Sequence, residues 1–242
     1  MSKRLFAELH QSRERAAAVL ARCELAQACA PETRQAILRS ARIDHHANRE
    51  PIHRVAQPMT DLVLVLDGIL EVSHTSPTGR RHVNAYLPAG NVFGLIPLID
   101  GKGCTHDTWA RGPLTLMRIP KEVVLQAMAT DPVFLQAVMG DLCDRSRIMA
   151  TQLSKRALLP LRALTAWTLL DLAGRHGFQR DRLRMLNLRL SQDGLADLLG
   201  VTRQSTNREL KRLEREGIIR VCVSEIELLD TERLGEVAAE CH

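Results

Sequence analysis

A chain of 242 residues with 45% hydrophobic and 25% charged side chains and a net charge of +5 has room for two compact units and the balance of an ordinary globular protein. Aromatics make up only 3%, so the cores must be built from Leu, Val, Ile, Ala and Met. The opening MSKRLFAELHQSRERAAAVL lacks the apolar run of a secretory signal, and runs such as Leu62 to Leu66 are far too short to span a bilayer, so no membrane partner and a cytoplasmic location are expected.

In chain order, residues 1–42 read as helical, with Pro31-Glu32 opening a second short helix. From Ile43 short β-branched runs alternate with turn signals. Asp67-Gly68, between Leu62–Leu66 and Ile69–Val72, predicts a hairpin turn. Ser76-Pro77-Thr78-Gly79, Leu87-Pro88-Ala89-Gly90-Asn91 and Asp100-Gly101-Lys102-Gly103 are further turns. Turns about 10 to 12 residues apart predict a small antiparallel sandwich or barrel ending near Ile119-Pro120.

Beyond Asp131-Pro132 the period switches to that of a helix. Leu135, Met139, Leu142, Ser146, Met149 and Leu153 fall at heptad spacing, broken only at Ser146, with Gly140 a weak point. Such a narrow stripe can lie on the β domain or on a second copy of the same helix, and its width favours a parallel homodimer. After Pro160 an amphipathic helix is expected from Leu161 to Ala173, ending at Gly174. Ile218–Val223 and Ile226–Leu229 read as two strands about a Ser-Glu turn, and a short acidic helix is expected from Asp230. The organisation is therefore 1–130, 131–160 and 161–242.

The chemistry concentrates between Leu190 and Leu213. Ser191 is placed to cap a helix over Gln192–Leu199 that buries Leu195, Ala196 and Leu199. Gly200 supplies a left-handed turn, Val201 points inward, and Thr202 caps a second helix whose buried stripe is Thr206, Leu210 and Leu213. Arg203, Gln204, Asn207, Arg208 and Lys211 share the opposite face. Arginine can hold guanine O6 and N7 through two donors, and Asn or Gln can do the same for adenine. Thr202 and Ser205, near the positive end of the helix dipole, suit phosphate anchoring. Charge agrees: residues 150–220 carry 14 basic and 7 acidic side chains, whereas residues 221–242 carry 1 and 6. Double-stranded DNA is the expected partner.

LADLLGVTRQSTNRELKRLEREGII resembles the winged helix-turn-helix of the Crp/Fnr regulators, and the likeness runs from about residue 43 to 230. It takes in MTDLVLVLDGILEV and LPAGNVFGLIPLIDG, the helix DPVFLQAVMGDL, and GIIRVCVSEIELLD as the wing. The resemblance implies an α+β fold: an N-terminal double-stranded β-helix (a β-roll of the cyclic-nucleotide-binding type), a long dimerisation helix and a C-terminal winged helix-turn-helix. It further implies base reading by Arg203, Gln204 and Arg208 beside Asn207, a homodimer on a palindromic site, RNA polymerase as partner and no enzymatic activity. The cyclic-AMP receptor has Glu at the position of Gln204, so base preference there differs.

The family's cyclic-nucleotide cassette needs a Glu for the ribose hydroxyl and an Arg for the phosphate. Here Leu95 stands at the first place and Thr105-His106-Asp107 at the second, and Met149-Ala150 replaces the polar pair that reads adenine. Cyclic AMP is therefore not expected, which leaves an unknown small molecule at a pocket of Leu95, His106 and Asp107, or no effector at all. No cofactor is expected. Cys23-x5-Cys29 matches part of the iron–sulfur spacing of some relatives, but Leu20 and Met117 occupy the other thiolate places. A redox switch at Cys23, Cys29 or Cys104, an axial haem ligand among His45, His46, His53, His74, His82 and His106, and a metal enzyme on the β-roll are the alternatives. The simplest reading of those histidines is exposed strand and turn positions. No CxxC or HxH pair supports a metal.

Overall fold

A computed structural model describes residues 16–180, 183–186, 192–222 and 225–240. Its contacts gather into two units, one of Met1–Gly79 and Asn84–Ser146, the other of Arg80–Val83 and Arg147–His242.

In the first unit, α1 (Glu24–Ala28) and α2 (Pro31–Ser40) precede β1 (Arg42–His46), β2 (Pro51–His53), β3 (Asp61–Thr75), β4 (Arg81–Pro88, whose first three residues count with the second unit), β5 (Val92–Phe93) and β6 (Asp107–Pro120). The sheet runs β1-β6-β3-β4, with β2 also on β6 and β5 on β3. The long β3 and β6 are antiparallel from Asp61↔Pro120 to Ser73↔Asp107. Leu62 to Leu66 are all buried, which explains an unbroken apolar run where a sheet with one wet face would alternate.

Asp67-Gly68 is not a hairpin turn. β3 passes straight through it, and its register on β6 shifts on either side of Asp67, as in a bulge. Gly68 has φ +82°, and a Cβ there would lie 2.3 Å from the Pro113 carbonyl oxygen. The glycine answers a close approach from a strand some 45 positions away, which local spacing does not record. The turns at Ser76–Gly79 and Pro88–Asn91 are closed by Gly79 N–H to Ser76 C=O (2.9 Å) and Asn91 N–H to Pro88 C=O (3.2 Å).

Two further helices, α3 (Leu95–Asp100) and α4 (Lys121–Thr130), fill stretches that the sequence does not mark as helical. The long helix α5 (Pro132–Leu158) follows α4 across Asp131. That carboxylate accepts the N–H groups of Ala30 (2.8 Å), Val133 and Phe134 (both 3.1 Å) and the Thr33 hydroxyl (2.8 Å). It so caps α5 and ties it to α2, and the donors, Ala30 first, hold its pKa below the usual carboxylate range. α5 turns Phe134 and Val138 into the core, with Ala137 and Leu142 partly buried against it. Leu142, expected on the heptad seam, is thus partly covered by the core of its own chain. Leu135, Met139, Met149 and Leu153 are exposed.

The second unit contains α6 (Leu161–His176), β7 (Gly177–Arg180), β8 (Leu183–Leu186), α7 (Gln192–Leu199), α8 (Arg203–Arg215), β9 (Ile219–Val221), β10 (Ile226–Leu228) and α9 (Thr231–Ala238). Gly174 does not end α6, which continues to His176, and the strands β7 and β8 extend the two of the wing into a sheet ordered β7-β8-β10-β9. α9 is capped by Asp230, whose carboxylate accepts the Arg233 N–H at 2.9 Å, and packs Leu234, Val237 and Ala238 on the α6 side. Arg162 of α6 grips the Glu216 carboxylate through both terminal nitrogens (2.9 and 2.7 Å), fixing the end of α8. Among the described residues no single helix is long and apolar enough to cross a membrane.

Candidate nucleic-acid interface

α7 is short, and burial of Leu195, Ala196, Leu198 and Leu199 holds it in place. The proposed cap Ser191 lies outside the described residues. Gly200 takes φ +73°, the left-handed turn that swings the chain into the next helix. Thr202 then caps α8: its hydroxyl oxygen accepts the Ser205 N–H (3.2 Å) and its carbonyl accepts the Thr206 hydroxyl (3.2 Å). The Thr202 hydroxyl in turn donates to the Ser205 hydroxyl at 3.0 Å, so the two expected phosphate anchors form one polar group at the helix start.

α8 buries Thr206, Glu209, Leu210 and Leu213 and packs on α6, α7 and β9. Its other face carries Arg203, Gln204, Arg208 and Lys211 in solvent, with Ser205 and Asn207 half-buried. The structure therefore brings all the expected reading residues onto one helix. Arg203 Nη1 lies 3.4 Å from the Asp193 carboxylate, and Arg208 Nε donates to Glu209 Oε1 at 3.3 Å. Glu209 is the reading-helix residue that the sequence argument missed. Its place three beyond Thr206 and four before Leu213 is the signal that would have put it on the inner stripe. The wing strands pair Ile226↔Val221 to Leu228↔Ile219, braced by Arg220 to Glu227 at 2.7 Å; of the expected Ser224-Glu225 tip, Ser224 lies outside the described residues.

The carbonyls at the end of α7 are held by three side chains of the same unit. Asp197 C=O meets His82 Nδ1 (2.8 Å), Leu198 C=O accepts from Arg156 (3.0 Å) and Gly200 C=O from Arg80 (2.6 Å). Cations suit the negative end of a helix. Arg156 also donates to His82 Nε2 at 2.6 Å, which leaves Nδ1 to carry the proton. Burial and then Arg156 push the His82 pKa down.

The expected effector residues are less unified. Leu95, on α3, is closed into the core. His106 bonds the Thr105 hydroxyl at 2.9 Å, and Asp107 accepts the Val55 N–H at 3.1 Å. An apolar cavity of the same unit is lined by Leu20, Cys23, Ile37, Leu64, Val124 and Phe134 among others, and none of the three borders it. Nor is His53 at an exposed turn. It is buried and stacked on Phe93 with ring centroids 5.8 Å apart; its Nδ1 faces the Thr108 hydroxyl at 3.0 Å, and Nε2 accepts from Arg118 at 3.3 Å. Cys23, Cys29 and Cys104 are buried, and burial pushes all three thiols up, Cys104 to about 11. Among the described residues no group of three or more His, Cys, Asp or Glu is arranged to hold a metal ion.

Comparison with known proteins agrees with this geometry. The family described as the Crp-like helix-turn-helix domain matches residues 165–237, and the cyclic nucleotide-binding domain family matches residues 44–131. A CRP-like cAMP-activated global transcriptional regulator of Mycobacterium tuberculosis (strain CDC 1551 / Oshkosh) is 21% identical over 220 residues, covering 91% of this chain and 98% of the relative. The HTH-type transcriptional regulator Cmr of the same strain is 26% identical over 223 residues, covering 91% and 87%. Among solved structures, FixK2 from Bradyrhizobium japonicum matches with a TM-score of 0.74 at 20% identity, over 84% of this chain and 99% of that one. The c-di-GMP responsive global regulator CLP of Xanthomonas campestris matches with a TM-score of 0.70 at 23% identity, over 82% and 99%. Fold and site together define a DNA-binding winged helix-turn-helix protein with a cyclic-nucleotide-binding-type domain before it. The chain belongs to the Crp/Fnr family of transcription regulators.

Proposed function

We propose that this regulator binds a two-fold symmetric duplex site as a homodimer. Arg203, Gln204 and Arg208 read bases beside Asn207, while Thr202, Ser205 and Lys211 meet phosphate. The observation that carries the reading is α8 itself, whose inner stripe is buried while its outer face holds Arg203, Gln204, Arg208 and Lys211 in solvent. RNA polymerase is the protein partner that a transcription regulator of this kind implies.

The effector in this reading is a small molecule other than cyclic AMP, and the chain carries no haem or cluster. A buried Leu95 offers no acceptor for a ribose hydroxyl, and Asp107 beside His106 repels a phosphate. Thiols pushed up by burial, as at Cys23 and Cys29, are poor sources of the thiolates that a cluster needs.

Selection from a random duplex pool at low ionic strength tests the reading. Two inverted half-sites with centres about 34 Å apart are expected, with affinity unchanged by cyclic AMP. Arg203→Ala should lose about 1–3 kcal/mol on the selected site and little on unrelated DNA. Equal losses on both would reduce Arg203 to a phosphate contact, and a protein that binds no duplex would overturn the proposal.

A further inference from the structure

Glu209 is a carboxylate on the wrong side of its helix. Its side chain is 10% exposed and shares the inner stripe with Thr206, Leu210 and Leu213. Oε1 accepts the Arg208 Nε–H at 3.3 Å, and Oε2 is buried with no hydrogen-bond partner among the described residues. Packing alone would favour an apolar side chain here, because a buried carboxylate oxygen without a donor is costly. Nor is the pair a stabilising device, since Arg208 is 72% exposed and an ion pair with one partner in solvent contributes little.

What the pair does is orient a guanidinium. With Nε–H given to Glu209, the two terminal nitrogens of Arg208 remain, and they form the fork that matches the O6 and N7 acceptors of guanine. An arginine held in this way does not have to be ordered on binding. The same carboxylate disfavours a phosphate oxygen at that point, which penalises contacts that carry no sequence information. We propose that Glu209 is a positioning and specificity-determining residue: it aims Arg208 end-on at a guanine and holds it off the backbone. This rests on the base-reading role of Arg208 proposed above.

The test is a mutant cycle on the duplex selected by the wild-type protein, together with derivatives in which each base pair is replaced in turn. Arg208→Ala identifies the base pair that Arg208 reads. Glu209→Leu should lower discrimination at that base pair about ten-fold, with affinity for unrelated DNA and the melting temperature no lower than wild type. Within Arg208→Ala it should change nothing further, and Glu209→Gln, which keeps an acceptor, should retain most of the discrimination. Glu209→Met repeats the apolar arm with an unbranched side chain, so that a packing fault in one variant does not decide the matter. Wild-type discrimination in both apolar variants, or an equal loss with and without Arg208, would overturn the proposal. If Arg208→Ala relaxes no base pair while the wild type still selects a site, the roles of Arg208 and Glu209 fall and the DNA-binding reading stands. A wild type that selects no site removes that reading itself.

Discussion

The buried imidazole of His53 should make the first unit sensitive to acid. Burial, and then the Arg118 guanidinium against Nε2, lower the pKa of His53 to about 4 from an ordinary 6.5. The proton is therefore bound more tightly by the unfolded chain than by the folded one. The stability that comes from keeping His53 neutral is complete above about pH 6.5 and is lost as pH falls from there towards about 4. At 1.36 kcal/mol per pH unit, roughly 2 kcal/mol should disappear between pH 7 and pH 5. Denaturant midpoints of the wild type and His53→Gln at those two pH values check this. The wild type should lose the larger part, and equal losses in both proteins would show that the acid sensitivity lies elsewhere. Haem ligation is a poor use of this ring, because one nitrogen faces Thr108 and the other accepts from Arg118.

Elements whose signals are local could be read in advance, and those fixed by distant neighbours could not. The caps, the turn glycine and the two stripes of α7 and α8 sit within two dozen residues, so their spacing alone defined the helix-turn-helix and its exposed face. The bulge at Gly68 depends on Pro113, and β8 depends on pairing with β10 some forty positions on. Neither dependence leaves a mark in its own neighbourhood. Glu209 is hidden for another reason: a charged side chain reads as exposed, whereas its helical position puts it inside. The bulge offers a direct check on that distinction. Gly68→Ala combines a positive φ with a Cβ set 2.3 Å from a backbone oxygen, so β3 or β6 must shift. A loss of about 3 kcal/mol or more in unfolding free energy is expected. Gly79, in the Ser76–Gly79 turn, also has a positive φ (+79°) but would place its Cβ in open space. Gly79→Ala should therefore cost only about 1 kcal/mol. Similar losses at the two sites would mean that backbone conformation, and not the Pro113 contact, decides the fate of position 68.

At the scale of the whole molecule the outstanding surface is the outer face of α5. Met149 and Leu153 are 68% and 71% exposed, and Leu135 and Met139 continue the same heptad on the helix. A row of large apolar side chains in water is uncommon on a monomer and points to a covering surface. Heptad spacing makes a second α5 the natural partner, since knobs at 3.5-residue intervals fit the holes of an identical helix. Leu142 is the wrong position at which to probe this, because it also packs on the core of the first unit and its loss would mix folding with assembly. Met149→Lys with Leu153→Lys changes only exposed positions. The double variant should halve the mass measured by light scattering and leave the melting temperature of dilute protein nearly unchanged. Its DNA affinity should fall by about two orders of magnitude or more, because two linked half-sites become two separate binding events. A wild-type mass in the variant would remove this seam as the interface. A halved mass with undiminished affinity would mean that a single α8 suffices, and that the symmetric site is not what the protein reads.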